Sequence, residues 1–193
     1  VDQVLWKEVH HTPITSIREN IASFKLDKIK RKAREWRTAL SNARQFLLEA
    51  TGYYQSLLLT LCMAHGLRPV VQGLSFIELD HPMDPVADSD VHKSATKICY
   101  RLVTILGDLA RYREQFHAKP TKNWTYAANL YREAIFLLPQ DGYGHKQLAF
   151  LALYDMDHFT SIYHSLRRHA PLIGCVTVIV WCQSRPRPWP RTI

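Results

Sequence analysis

Glycine is scarce in this chain, with seven in 193 residues. That leaves little room for a Gly-rich phosphate loop or a tightly turned β fold. Cysteine is scarce too. The four cysteines (Cys62, Cys99, Cys175 and Cys182) make no C-x-x-C pair and no zinc spacing, which excludes a disulfide scaffold and a zinc module. With no signal-peptide pattern, this usage points to a reducing intracellular compartment, the cytoplasm first and the nucleus second. The longest apolar run, residues 172–182, has eleven residues, too few to span a bilayer, so no membrane association is expected. Catalytic signatures are missing as well: there is no G-x-x-x-x-G-K-[ST], G-x-S-x-G, H-E-x-x-H or G-x-G-x-x-G. The ten histidines do not fall at metal spacing with acids. His10 and His11 are neighbours that diverge on a helix, and His158 and His164, six apart, share no face. Glu78, Asp80 and Asp84 lack the glycine-containing spacing of a calcium loop. The sequence therefore reads as non-enzymatic, with no catalytic residue, no metal and no cofactor.

What remains is an ordinary globular composition, 47% hydrophobic and 22% charged, in a chain long enough to bury a core. The net charge of +8 is local. Residues 25–44 hold eight basic side chains against Asp27 and Glu35, and Arg185, Arg187 and Arg191 add to the far end. Such a stripe is either a solvated helix face or a phosphate-attracting patch, for which Lys28, Arg31, Lys32 and Arg34 are the nucleic-acid candidates.

Apolar spacing predicts helices almost throughout. A first amphipathic stretch carries Val4, Leu5, Val9, Ile14, Ile17 and Ile21, with Pro13 interrupting or kinking it. A long helix is expected from about residue 26 to His65, stopped by Gly66, with Phe46, Ala50, Tyr53, Leu57 and Leu61 as its buried stripe. Residues 66–90, rich in proline and acids, read as a loop with one short extended piece at 74–79. From about Val91 a helix carries Ile98, Leu102, Ile105, Leu109, Tyr112 and Phe116 at steps of four and three. Further helices are expected at about 123–138, 143–154 and 157–169. Pro139 and Pro171 each end a helix and lie 32 residues apart. Between them, Leu148, Ala149, Ala152, Ile162 and Leu166 read as the packing residues of one tetratricopeptide-type unit. The domain is thus expected over 1–171, followed at 172–193 by an irregular tail with strand propensity at 176–180 and alternating prolines.

Four stretches in order are specific: Phe46-Leu47-Leu48-Glu49-Ala50-Thr51-Gly52-Tyr53-Tyr54; Leu106-Gly107-Asp108-Leu109-Ala110-Arg111-Tyr112-Arg113-Glu114-Gln115; residues 131–139; and Gln147-Leu148-Ala149. Together they resemble the Ever Shorter Telomeres / SMG family, nearest its SMG-seven branch, over residues 5–171. The resemblance implies an all-α fold, a 14-3-3-like domain of tetratricopeptide-like stacked antiparallel helices, followed here by an extended tail foreign to the family. It also implies a groove for phosphoserine or phosphothreonine followed by Gln on an up-frameshift RNA helicase, in an adaptor of nonsense-mediated mRNA decay. A second SMG-type protein is an implied pairing partner.

On the matching positions, Arg111 takes the place of the family's groove arginine, and its planar fork suits a phosphate dianion. Tyr112 either donates its phenolic proton to the same phosphate or packs. Asp108, one turn earlier, is placed to hold the guanidinium. A second cation is needed. His11 stands where the family has Lys, Arg18 lies seven residues on, and Lys7 is one turn earlier. A dianion favours the imidazolium form, so peptide binding through His11 should strengthen as pH falls from about 7.5 to about 6. The family's Pro-Tyr-Asn-Gln-Leu-Ala is replaced by Gly144-His145-Lys146-Gln147-Leu148-Ala149, where Lys146 either adds groove charge or faces solvent. The alternative reading is a telomerase-associated accessory protein that binds RNA or single-stranded DNA through residues 25–44, with steep salt dependence.

Overall fold

The computed structural model describes residues 4–26, 32–65, 67, 89–117, 119 and 121–168, with backbone alone at 20–26, 32–34 and 89. The loop at 66–90, apart from Leu67 and its last residues, and everything beyond Arg168 lie outside them. So do the extended piece at 74–79 and the strand-like run at 176–180. The described residues form an all-α arrangement without a strand. They belong to two compact units that divide between Leu138 and Pro139.

The first unit opens with a π-helical stretch, Leu5–His11, that runs directly into α1, Thr12–Leu26. The join explains Pro13. An α-helical proline ring collides with the carbonyl four residues earlier. Here the turn before it is wide, and the Thr12 N–H reaches back five residues to the Lys7 carbonyl. The helix passes through Pro13 rather than breaking. Ile14, fully buried, fixes α1 to the core.

The two long helices follow. α2 spans Lys32–His65 and α3 spans Ser89–Gln115, and they pack against each other. α2 closes when the Leu67 N–H bonds to the Cys62 carbonyl at 3.1 Å, a six-to-one closure of the kind that ends helices. Its buried face is Leu40, Ala43, Leu47, Ala50, Tyr54, Leu58 and Cys62. This corrects the stripe expected from spacing. Ala50 is buried, but Tyr53 is exposed, and Phe46, Leu57 and Leu61 are half-buried. The helix is apolar over a wide arc, so periodicity alone does not fix which side of that arc meets α3. The π-helical stretch lies along the Phe46–Tyr53 side, where the His10 ring sits 5.8 Å from Phe46 and 6.3 Å from Tyr53.

α3 is the core helix of this unit. Every residue from Leu102 to Tyr112 is buried, including Thr104, Asp108 and Arg111. Its expected stripe holds from Leu102 through Phe116, with Ile98 half-buried. α4, Thr125–Leu137, packs on α3 through Ala127, Ala128, Leu130, Tyr131 and Ala134. Gly107 sets how closely they approach: a Cβ there would fall 2.6 Å from the Tyr131 ring.

The second unit is an antiparallel pair, α5 (Tyr143–Tyr154) and α6 (His158–Arg167). Met156 turns the corner at φ 59°, and Asp157 caps α6 by accepting from the Thr160 N–H at 3.0 Å. Gly142 leaves space for the Arg168 backbone to come close. Leu148, Ala149 and Ala152 are buried as expected, but Ile162 and Leu166 are exposed. What α6 turns inward is polar, Ser161 and His164, while its apolar edge of Phe159, Ile162 and Leu166 faces away from α5.

Candidate functional site

The Gly107-Asp108-x-x-Arg111-Tyr112 segment of α3 forms one cluster with a residue of α4. Asp108 Oδ1 accepts from Arg111 Nη2 at 3.0 Å and from the Tyr131 hydroxyl at 2.7 Å. Arg111 Nε donates to the same Tyr131 oxygen at 3.4 Å, which closes a triangle of three side chains. The Asp108 and Arg111 side chains are only 5% and 11% exposed, so this is a nearly buried ion pair. A buried pair survives when its geometry is good and its remaining polar atoms are satisfied. Tyr131 supplies part of that satisfaction, and Gly107 makes Tyr131's approach sterically feasible.

The electrostatics follow from burial and partners. Burial works to lower the Arg111 pKa, but Tyr131, Asp108 and Tyr112 together outweigh it, and the net shift is upward. Arg111 is thus charged at any pH at which the chain folds. Tyr131 is pushed well above the usual phenol range, first by burial and then by the Asp108 charge, against the opposing pull of Arg111. Its proton stays on the oxygen that donates to Asp108.

The Tyr112 ring is the fourth part. The Arg111 guanidinium carbon lies 4.4 Å from its centroid, within cation–π range. Arg18 of α1, exposed to solvent, brings its own guanidinium to 5.4 Å from the same ring. The two charged centres are therefore no more than about 9.8 Å apart. Two of Arg111's five N–H groups are engaged by Asp108 and Tyr131.

The structure thus brings Arg111, Tyr112, Asp108 and Arg18 together. Lys7 and His11 sit earlier on the π-helical stretch, both exposed. Lys7 lies 3.8 Å from Glu8, and the His11 ring is 5.9 Å from Trp6. His10 does not diverge from its neighbour as expected: in the wider π-helical turn both rings lie against Trp6, His10 at 6.3 Å. Its Nδ1 is 3.0 Å from the Tyr54 hydroxyl, in an aromatic cluster with Trp6, Phe46 and Tyr53, and burial lowers its pKa. The sequence reading missed Tyr131 as a member of the site. It stands 23 positions from Asp108, and in the sequence it appears only as the first residue of the family-like stretch 131–139.

Of the basic stripe, Lys28 and Arg31 lie outside the described residues, as do the side chains of Lys32 and Arg34. Arg44 is used within the fold, donating to the Phe116 carbonyl at 2.9 Å beyond the end of α3. In the second unit Lys146 is half-buried, its ammonium 5.9 Å from both the Tyr143 and the Phe150 rings. His164 and His145 meet Nδ1 to Nδ1 at 2.9 Å across α5 and α6. Among the described residues, no three His, Cys, Asp or Glu side chains gather as a metal site requires, and no helix is long and apolar enough to cross a membrane.

Comparison with known proteins gives two family matches in tandem. The profile of the telomerase activating protein Est1 covers residues 1–117, and that of the Est1 DNA/RNA binding domain covers residues 127–170. Among individual relatives, nonsense-mediated mRNA decay factor SMG7 of Arabidopsis thaliana is 33% identical over 131 residues, 64% of this chain. SMG7 of Danio rerio is 29% identical over 172 residues, and the Danio rerio telomerase-binding protein EST1A is 29% identical over 180, each covering 86% of this chain. The chain spans only 12%, 13% and 10% of these three relatives' lengths.

Proposed function

This chain belongs to the Est1 family of telomerase activating proteins, and from that premise we propose that its first unit is the phosphopeptide receptor of an adaptor in nonsense-mediated mRNA decay. The ligand is a phosphoserine or phosphothreonine followed by Gln, carried by a phosphorylated RNA helicase of mRNA surveillance. The observation that carries the reading is the fixed guanidinium of Arg111 with a second, exposed guanidinium at Arg18 across the Tyr112 ring. Asp108 already neutralises Arg111, so Arg111 alone would offer a phosphate little net charge. Its role is geometric: it presents N–H donors along fixed directions. Arg18 supplies the uncompensated positive charge; Lys7, beside Glu8, and His11 lie earlier along the same helical stretch as further candidate contacts. Tyr112 acts mainly as the surface on which both guanidiniums rest, since its ring is buried.

The geometry also decides how the reading is tested. Reversing Arg111 would leave Asp108 buried without its cation, at a cost of about 3–5 kcal/mol, and would confound binding with folding. Arg18→Glu changes an exposed side chain instead. Fluorescence anisotropy with a phosphoserine-Gln peptide should show binding that needs the phosphate and falls at least tenfold in Arg18→Glu. Equal binding of the unphosphorylated peptide would sink the reading.

A second protein of the same family remains the proposed pairing partner. Along α2, Leu48, Leu59 and Met63 are exposed on the side where Gly52 meets open space, a surface on which another helix can approach closely. Leu59→Arg should abolish co-migration with such a partner in gel filtration and leave peptide binding intact; co-migration that persists would place the pairing surface elsewhere.

Nucleic-acid binding is favoured by a different observation. The family profile described as a DNA/RNA binding domain falls on residues 127–170, not on the basic stripe at 25–44. There Lys146, flanked by Tyr143 and Phe150, offers a cation beside two rings on which a base can stack. Single-stranded RNA binding that weakens steeply as salt rises, and weakens further in Lys146→Glu, would support it.

A further inference from the structure

We propose that Cys62 and Cys99 form a redox site, in which hydrogen peroxide converts two buried thiols into a disulfide that ties α2 to α3. The two Sγ atoms lie 3.9 Å apart, and both side chains are fully inaccessible to solvent. They come from the facing sides of the two helices, 37 positions apart in the chain, so it is the fold that brings them together. A disulfide bond is about 2.0 Å long, so the sulfurs must close by nearly 2 Å through side-chain rotation and a small helix shift.

The roles of the two thiols differ. Either sulfur can donate in the contact between them, and the thiol that donates favours its partner's thiolate while burial keeps the donor protonated. We take Cys99 as the donor and Cys62 as the nucleophile. Its thiolate attacks one peroxide oxygen; the O–O bond breaks, Cys62 becomes a sulfenic acid and hydroxide leaves to take up the thiol's proton as water. Cys99 sulfur then attacks the sulfenyl sulfur, the S–O bond breaks, and a second water departs with the Cys99 proton. Each sulfur gives up one electron, and the two peroxide oxygens are reduced to water. Burial selects the oxidant: small, neutral hydrogen peroxide can enter during brief local openings, whereas a bulky charged disulfide cannot.

The crosslink would sit about three helical turns before Arg111 on α3 and would close the chain between the two helices into a loop. It would hold α2 and α3 at one fixed spacing.

The test uses the full chain with Cys175→Ser and Cys182→Ser, which removes the two thiols outside the described residues. After exposure to hydrogen peroxide under native conditions, the protein is alkylated, digested without reductant and mapped by mass spectrometry. The expected result is a peptide pair joined through Cys62 and Cys99, an intact mass lower by about 2 Da, and reversal by dithiothreitol. In Cys99→Ala, Cys62 should stop at the sulfenic acid and be trapped by dimedone. A bond that forms only after unfolding in urea would overturn the proposal. So would native protein whose Cys99 stays alkylatable while Cys62 is overoxidised.

Discussion

Replacing Tyr131 by Phe removes one oxygen from the centre of the first unit and leaves the ring that packs on Gly107. Two hydrogen bonds go with it. The bond to Asp108 is short, 2.7 Å, and ends on a buried carboxylate, a class of interaction that contributes about 1.5–3 kcal/mol. The bond from Arg111 Nε, at 3.4 Å, is at the long limit and contributes little. Asp108 keeps its 3.0 Å ion pair with Arg111, and no sizeable cavity opens, so the expected loss is about 2 kcal/mol. In a unit of this size that lowers Tm by roughly 6–10 °C. Asp108→Asn should cost more, about 3–5 kcal/mol, because it leaves the Arg111 charge buried without its counter-ion. The double variant should cost less than the sum of the two, since the hydroxyl has no carboxylate left to bind. Urea denaturation of all four proteins measures the three differences. If Tyr131→Phe stays within about 0.5 kcal/mol of the parent, or the double variant is strictly additive, the hydroxyl does not support the carboxylate and the triangle has been misread.

Two glycines should respond to alanine with opposite signs. Gly107→Ala forces a methyl to 2.6 Å from the Tyr131 ring and should destabilise by about 1–3 kcal/mol, whereas Gly52→Ala meets nothing within 4 Å and should stabilise by up to about 1 kcal/mol. Denaturant midpoints of the pair decide it, and equal shifts would contradict the packing of α4 on α3. In the second unit, burial and then the Arg167 charge draw the His145 pKa down to about 4. The unfolded chain binds that proton near pH 6.5, so stability should be full above that value and fall by about 3 kcal/mol as pH drops towards 4. Urea midpoints between pH 7.5 and 4.5, compared with His145→Gln, should show a steeper loss in the parent. Asp157→Ala should cost about 1 kcal/mol by removing the α6 cap, read as a loss of helical ellipticity on mild heating.

Much of this architecture was legible because it is local. The spacing along α3 identified its buried side, the residues of α5 were read at their observed ends, and the Gly-Asp-x-x-Arg-Tyr segment marked the centre of the buried Asp108–Arg111 cluster proposed as the site. What stayed hidden depends on one helix meeting another. Tyr131 reaches Asp108, His164 reaches His145 and Cys62 reaches Cys99 only through packing, and nothing in the neighbouring sequence announces a partner 19 to 37 positions away. The buried face of α2 was misplaced for a related reason. Leu57, Leu58 and Leu59 are equally apolar, and the choice among them is made by α3 and the π-helical stretch. That stretch is itself a backbone adjustment for which Pro13 was the only local sign.

A guanidinium clamped by two partners and a ring cannot follow what approaches it. A mobile arginine adapts to any anion and loses about 2 kcal/mol of side-chain freedom each time it does so. Arg111 has already lost that freedom on folding, so the shape of the anion, rather than its charge alone, sets how well it fits. On the proposed reading, a phosphate carried on a stem of the right length meets the fixed donors, whereas a carboxylate at a different reach cannot bring the arginine to it. Aspartate or glutamate written into a peptide in place of phosphoserine would therefore be a poor imitation for this chain.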